Sequence, residues 1–211
     1  MTEREAYIGF SVFPGIGPMR FKLLTEYFGS AKSAWEAPVR ELQNINLGEK
    51  LTQKFSEFRN TFDIDDYMKQ LSYHHVNTLI WSEEKYPKLL KEISDAPFVL
   101  YVKSKPHMER IDMERTIAVV GTRKATPYGI DVTRRITEEL VDAGCTIVSG
   151  MAYGIDAVAH ETAIACGGKT IAVLGCGVDI IAPPTNAGIY KKISEDGCGA
   201  VISEMPLGLR P

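Results

Sequence analysis

The chain has 211 residues, 45% of them hydrophobic, and a net charge of -3 at neutral pH, which suits one or two domains with real cores. No apolar run approaches the ~20 residues a membrane helix needs, and Met1 to Phe10 lacks the basic start, apolar middle and small-residue cleavage site of a secretory signal, so a cytoplasmic chain without a membrane partner is expected. Lys and Arg number 8 against 10 Asp and Glu from Thr116 onward, and 16 against 17 before it; bulk positive charge is thereby excluded as a route to nucleic acid, and any polyanion site has to be local.

In chain order, REAYIGFSVFPGIGPMRFKLLTEYFGSAKSAWEA carries two helical patterns around Pro14-Gly15-Ile16-Gly17-Pro18. Pro18 suits the first turn of the second helix and the glycines permit a tight hairpin. Such a helix-hairpin-helix can hold a phosphate on free N–H groups with Arg20 and Lys22 nearby. A packing module without ligand is the preferred reading, because no lysine cluster accompanies the hairpin; Leu23, Leu24, Tyr27 and Phe28 are then expected in its core. From Glu41 to Leu71 the helical pattern continues, with Leu42, Ile45, Leu47, Leu51, Phe55, Phe58 and Phe62 as its apolar face and a break at Asn46 and Gly48. Asp63, Asp65 and Asp66 lack the glycine and distal glutamate of a calcium loop and read as a solvated helix start.

A strand over Thr78–Trp81, a helix after Pro87 and a strand over Phe98–Lys103 follow, and the polar stretch Lys103–Arg115 reads as a connection. From there the chain alternates. IAVVG, TIVSG, TIAVLG and AVISE read as buried strands ending on glycine or a small polar residue, with helices between them. The first helix, Tyr128–Val141, is expected to present Ile130, Ile136, Leu140 and Val141. Strands alternating with helices of this length lie parallel, and such sheets bind ligands beyond the carboxyl ends of their strands. The fold class is therefore α/β, a parallel sheet preceded by a small helical domain, divided as 1–72 and 73–211, the latter comprising an extension over 73–103 and a core over 116–211.

The strand ends supply the candidate site. Gly121-Thr122-Arg123 combines close backbone approach, a hydroxyl, a helix start and a guanidinium that binds two phosphate oxygens at once; an ion pair is the alternative for Arg123. The turn lacks the full G-x-G-x-x-G of a dinucleotide site. Tyr128 and Tyr153 suit base stacking and half-buried packing equally. Gly150, Met151 and Gly154 form the second turn, and Gly175 and Gly177, with Asn186 nearby, extend a glycine-lined cleft. Asp156, placed as a helix N-cap, and His160 lie four apart after Ser149, but the serine precedes the turn and lacks a strained elbow, so capping and hydrogen bonding are preferred over a triad. Glu204, at the last strand end, has a general base as one reading and an exposed or paired glutamate as the commoner one. Cys145, Cys166, Cys176 and Cys198 have neither the close pairs nor the histidine partners of a zinc site and read as buried reduced thiols. No metal, cofactor or catalytic residue is expected.

The segments VVGTRKATPYG, SGMAYGIDAVAH, TIAVLGCGVDIIAPPTN and AVISEMPLGLRP, in this order and spacing, resemble the DNA processing protein A (DprA, also called Smf) family, and PGIGPMRFKLLTEYFGS and YPKLL with APFVLYVK resemble its helical front part. The resemblance implies a sterile-alpha-motif-like domain before an extended Rossmann-like domain. It also implies a protein that binds single-stranded DNA and loads a RecA-type recombinase in natural transformation without turnover, and it leaves a homodimer open. The family's arginine after the first strand falls on Arg123 and its glycine-rich second turn on Gly150 through Asp156. Family members continue past Pro211 into further strands and a basic segment, so the Rossmann-like domain is expected to be incomplete at its C-terminal end. Rossmann-like nucleotide hydrolases and nucleotide-sensing modules are the alternatives; the P-G-G-x-G-T motif of the former is not found.

Overall fold

The computed structural model describes residues 1–45, 47–105 and 115–211. Most of the Lys103–Arg115 connection, and the helix break read at Asn46, lie outside the described residues. The chain forms two compact units, Met1–Tyr73 with Thr78–Leu100, and His74–Asn77 with Tyr101–Pro211. Thr78–Leu100, which the sequence reading grouped with the sheet domain, thus clusters with the helices.

The first unit is built from α1 (Glu3–Val12), α2 (Pro18–Phe28), α3 (Ala31–Glu36), α4 (Val39–Asn44), α5 (Glu49–Thr61), α6 (Ile64–Tyr73) and the one-turn α7 (Lys88–Lys91). Its helix starts follow from local chemistry. Thr2 and Glu5 form a reciprocal capping box on α1, and Glu3 accepts the N–H groups of Ala31 and Lys32 at the start of α3, at 2.8 and 2.9 Å. Asp63 caps α6 by accepting the Asp66 N–H at 3.0 Å. Among the described residues no cluster of His, Cys, Asp and Glu is arranged to hold a metal.

Aromatic rings fill the unit's centre. Phe10 stacks on Phe55 at 5.0 Å and Phe21 on Phe98 at 3.9 Å. Gly9 leaves room for the Trp35 ring, which a β-carbon there would approach to 2.6 Å. Burial holds the Tyr7 hydroxyl above its ordinary pKa, with Glu3 adding to the effect. Leu24 is buried as read, whereas Leu23 and Tyr27 are exposed, because α2 turns only the Phe21–Leu24 side inward.

The six-stranded sheet consists of β1 (Val76–Ile80), β2 (Val99–Lys103), β3 (Thr116–Ala118), β4 (Thr146–Ser149), β5 (Thr170–Leu174) and β6 (Gly199–Ser203), in the order β1-β2-β6-β5-β4-β3. The last four strands are mutually parallel, and β2 runs antiparallel to β6. Their crossovers are α8 (Pro127–Asp142), α9 (Ile155–Ala165) and α10 (Ala187–Ser194). Ile147 on β4 packs against Ala159 and Ala163 of α9, with Leu140 and Val141 of α8 completing the layer.

Two details differ from the sequence pattern. The first strand of the parallel set is exposed along much of its length, with Ile117 at 42% accessibility, because β3 is an outer strand with β4 as its neighbour; Val120, read as part of it, lies beyond its end and is 69% accessible. On α8 the buried positions are Thr133 and Thr137, while Ile136 faces solvent. The Thr133 hydroxyl is satisfied within the helix by donating to the Gly129 carbonyl at 2.7 Å, which makes its burial affordable.

Candidate nucleic-acid interface

The turns that follow β3 and β4 are locked together. Ile155 N–H donates to the Thr122 carbonyl at 3.2 Å. Gly121 is where Ile155 lands: a β-carbon at 121 would sit 2.7 Å from Ile155 Cγ1. Gly154, at φ +78, packs against the 122–123 backbone. Both glycines therefore serve the contact between the two turns, since a side chain at either would meet the neighbouring turn.

The β4–α9 turn carries its own anion. One oxygen of Asp156 accepts the N–H groups of Gly150 and Ala152, at 3.2 and 3.3 Å, from the second residue of α9. Asp156 is thus not the N-cap expected from the sequence; Gly154 occupies that place. Met151, in the left-handed region at φ +61, is buried, which withdraws its side chain from a solvent ligand. Asn186 is also buried, and its amide donates to the carbonyls of Met151 at 2.9 Å and Ala152 at 3.3 Å.

After β5, Gly177 is enclosed by Asp179 and by the backbone of Pro206 and Gly208, and its N–H donates to the Leu209 carbonyl at 2.8 Å. Asp179 accepts the Gly208 N–H with both oxygens. The Cys176 thiol is raised above its ordinary pKa by burial and by Asp179. Tyr190 donates to the Val178 carbonyl and is held protonated, first by burial and then by Asp179. Gly175, by contrast, faces open space.

Arg123, Gly150, Tyr153 and Gly175 converge on one cleft of about 300 Å3. The ends of β3, β4 and β5 therefore meet, as a parallel sheet places them. Arg123 is exposed and has no carboxylate partner among the described residues. Tyr153 is 47% exposed, and Tyr128, in the first turn of α8, is 78% exposed. Thr122 is exposed, and its hydroxyl accepts the Lys124 N–H at 3.1 Å. Glu204 is exposed.

Ala152, Leu174, Cys176, Ala182, Pro183 and Pro211 also line the cleft. Sequence reasoning did not select them, and only the Pro183-Pro184 pair marked the loop that brings two of them in. Exposed Arg210 adds a cation in the tail next to Pro211.

Ser149, Asp156 and His160 do not form a chain of hydrogen bonds. Ser149 donates to the Val119 carbonyl at 2.7 Å. His160 Nδ1 lies 2.6 Å from the Thr170 hydroxyl, which itself donates to the Ile147 carbonyl at 3.0 Å, so Nδ1 carries the proton in that pair. Burial lowers the His160 pKa to about 4, against an opposing effect of Asp156.

A parallel α/β protein with an arginine-bearing cleft at the strand ends is a member of the Rossmann-like class whose ligands sit beyond the sheet's carboxyl edge. A family model described as DNA recombination-mediator protein A matches residues 77–211, and the chain belongs to that family. It is 35% identical over 212 residues to Protein Smf of Synechocystis, covering 100% of this chain and 53% of that one. The X-ray structure of DNA processing protein A from Streptococcus pneumoniae superposes with a TM-score of 0.77 at 28% identity, over 100% of this chain and 70% of that one. The DNA processing protein A from Helicobacter pylori, whose structure is described for its single-stranded DNA binding mode, gives 0.55 at 31% identity over 66% and 60%. The chain spans about half the length of the curated relatives it matches. Among the described residues no helix is long and apolar enough to cross a membrane.

Proposed function

We propose that this chain binds single-stranded DNA at the strand-end cleft and, in DNA processing during natural transformation, protects the strand and helps load a RecA-type recombinase in the cytoplasm, without turning over a substrate. The observation that carries the reading is Arg123, exposed on the cleft with no carboxylate partner among the described residues and with Tyr153 on the same cleft. A guanidinium holds one phosphodiester through paired hydrogen bonds, and an aromatic ring beside it stacks a base without regard to sequence. Family membership and the Helicobacter pylori relative support the same reading.

A polymer is favoured over a free nucleotide for a physical reason. Nucleotide phosphates are held by several unpaired backbone N–H groups, and here those of Gly150, Ala152 and Gly177 are already taken by Asp156 and by the Leu209 carbonyl. What remains facing outward suits one phosphate and one ring at a time.

The test is a titration of a labelled oligonucleotide, single-stranded against duplex, with the wild-type chain and Arg123→Ala. The single strand binds more tightly, and Arg123→Ala weakens it about tenfold or more while making the salt dependence shallower by about 0.7 in log-log slope. An unchanged affinity and slope remove Arg123 from the site and the reading with it.

A further inference from the structure

We infer that Asn186 is a positioning residue: it fixes the β4–α9 turn so that Tyr153 is presented to the cleft, and it acts on the ligand only through that ring. The inference rests on the single-stranded DNA reading above. Asn186 stands directly before α10, where an asparagine ordinarily caps the helix, yet its side chain makes no cap bond. Its amide reaches instead across the sequence to the Met151 and Ala152 carbonyls. Two carbonyl acceptors require that the NH2 end point at them, which settles the orientation of the amide chemically.

Asp156 takes the N–H groups of Gly150 and Ala152, so the Met151–Ala152 peptide unit is held at its carbonyl by Asn186 and at its N–H by Asp156. The turn is therefore clamped from both sides, its acceptors by an amide and its donors by a carboxylate, both side chains being buried. The clamp holds Met151 in a backbone conformation that a side chain other than glycine rarely adopts. Immediately after it, Gly154 is wedged beneath the 122–123 backbone. Tyr153 lies between the clamp and the wedge, and it is the part of the turn whose large side chain reaches the cleft. Removing the amide leaves two carbonyls unpaired and frees the strained residue to relax, so the ring loses its fixed place while Arg123, on another turn, keeps its own.

The experiment is a set of double-mutant cycles on the 211-residue chain, read by affinity for a single-stranded oligo(dT) probe, with melting temperature recorded for each variant. Tyr153→Ala weakens binding about tenfold, and Asn186→Ala weakens it several-fold. Added to Tyr153→Ala, Asn186→Ala costs less than about twofold more, whereas its effect multiplies with that of Arg123→Ala. Multiplication in both cycles, or unchanged affinity in Asn186→Ala alone, overturns the inference and leaves the DNA reading standing. Unchanged affinity in Arg123→Ala removes the DNA reading and this inference together, whereas unchanged affinity in Tyr153→Ala alone overturns only this inference. If Asn186→Ala does not fold, Asn186→Ser, which keeps one donor, takes its place in the cycles; failure of both to fold assigns Asn186 a purely structural role and overturns the inference.

Discussion

A β-carbon built at Gly154 would lie 2.2 Å from the carbonyl oxygen of Thr122. That spacing, together with the Ile155 N–H bond to the same carbonyl, locks the start of α9 against the turn carrying Arg123. Met151 and Ala152, ahead of that contact, are held instead by Asn186 and Asp156, so the place of Tyr153 depends on both.

Gly154→Ala is therefore expected to destabilise the chain by roughly 3 kcal/mol, since alanine meets both a backbone clash and a positive φ. Urea unfolding, with the midpoint lowered and the slope unchanged, is the check. A midpoint equal to wild type would show that the two turns separate freely.

Asp156→Ala leaves two N–H groups without their acceptor in a part-buried turn. A loss of roughly 2–4 kcal/mol is expected, with Asp156→Asn losing about half as much because its carbonyl oxygen still accepts. The order of the two midpoints in a chemical unfolding series tests the idea, and equal midpoints for all three chains would contradict it.

His160 is expected to make the fold acid-sensitive. Its pKa in the folded chain, about 4, lies below the ordinary 6.5, so the unfolded chain binds the extra proton between those values. The neutral ring's contribution is complete above about pH 6.5, falls as pH is lowered toward 4, and amounts to on the order of 3 kcal/mol. His160→Gln should flatten that part of a stability profile measured from pH 7 to 4; an identical profile would place the acid sensitivity elsewhere.

The helical hairpin is expected to be silent in DNA binding. Arg20 folds back to donate to the Gly15 carbonyl at 2.7 Å, and Lys22 lies 3.9 Å from Glu26. Alanine at both positions should leave oligonucleotide affinity within twofold of wild type and cost under about 1 kcal/mol of stability. A tenfold loss of affinity would make the hairpin a second DNA contact.

The sequence by itself determined the α/β class, the parallel course of the last four strands and the convergence of Arg123, Gly150, Tyr153 and Gly175. These are consequences of periodicity and chain direction: alternating strands and helices have to run parallel, and their carboxyl ends have to share an edge. Only the tertiary structure decided what the polar and glycine positions at that edge do. Met151 and Asn186 read as binding residues in the sequence because they sit in or after strand-end turns, and Asp156 as a helix cap, but burial and long-range hydrogen bonds make all three the scaffold of the turn. The same holds for Gly121 and Gly154, whose use depends on which atom occupies the space beside them, here Ile155 and the Thr122 carbonyl. It holds again for Ile117, whose apolar character says strand but whose exposure follows from the strand's place at the outside of the sheet. Local pattern sets what an element is; its neighbours in space, many residues away in the chain, set which of its atoms remain free to meet a ligand.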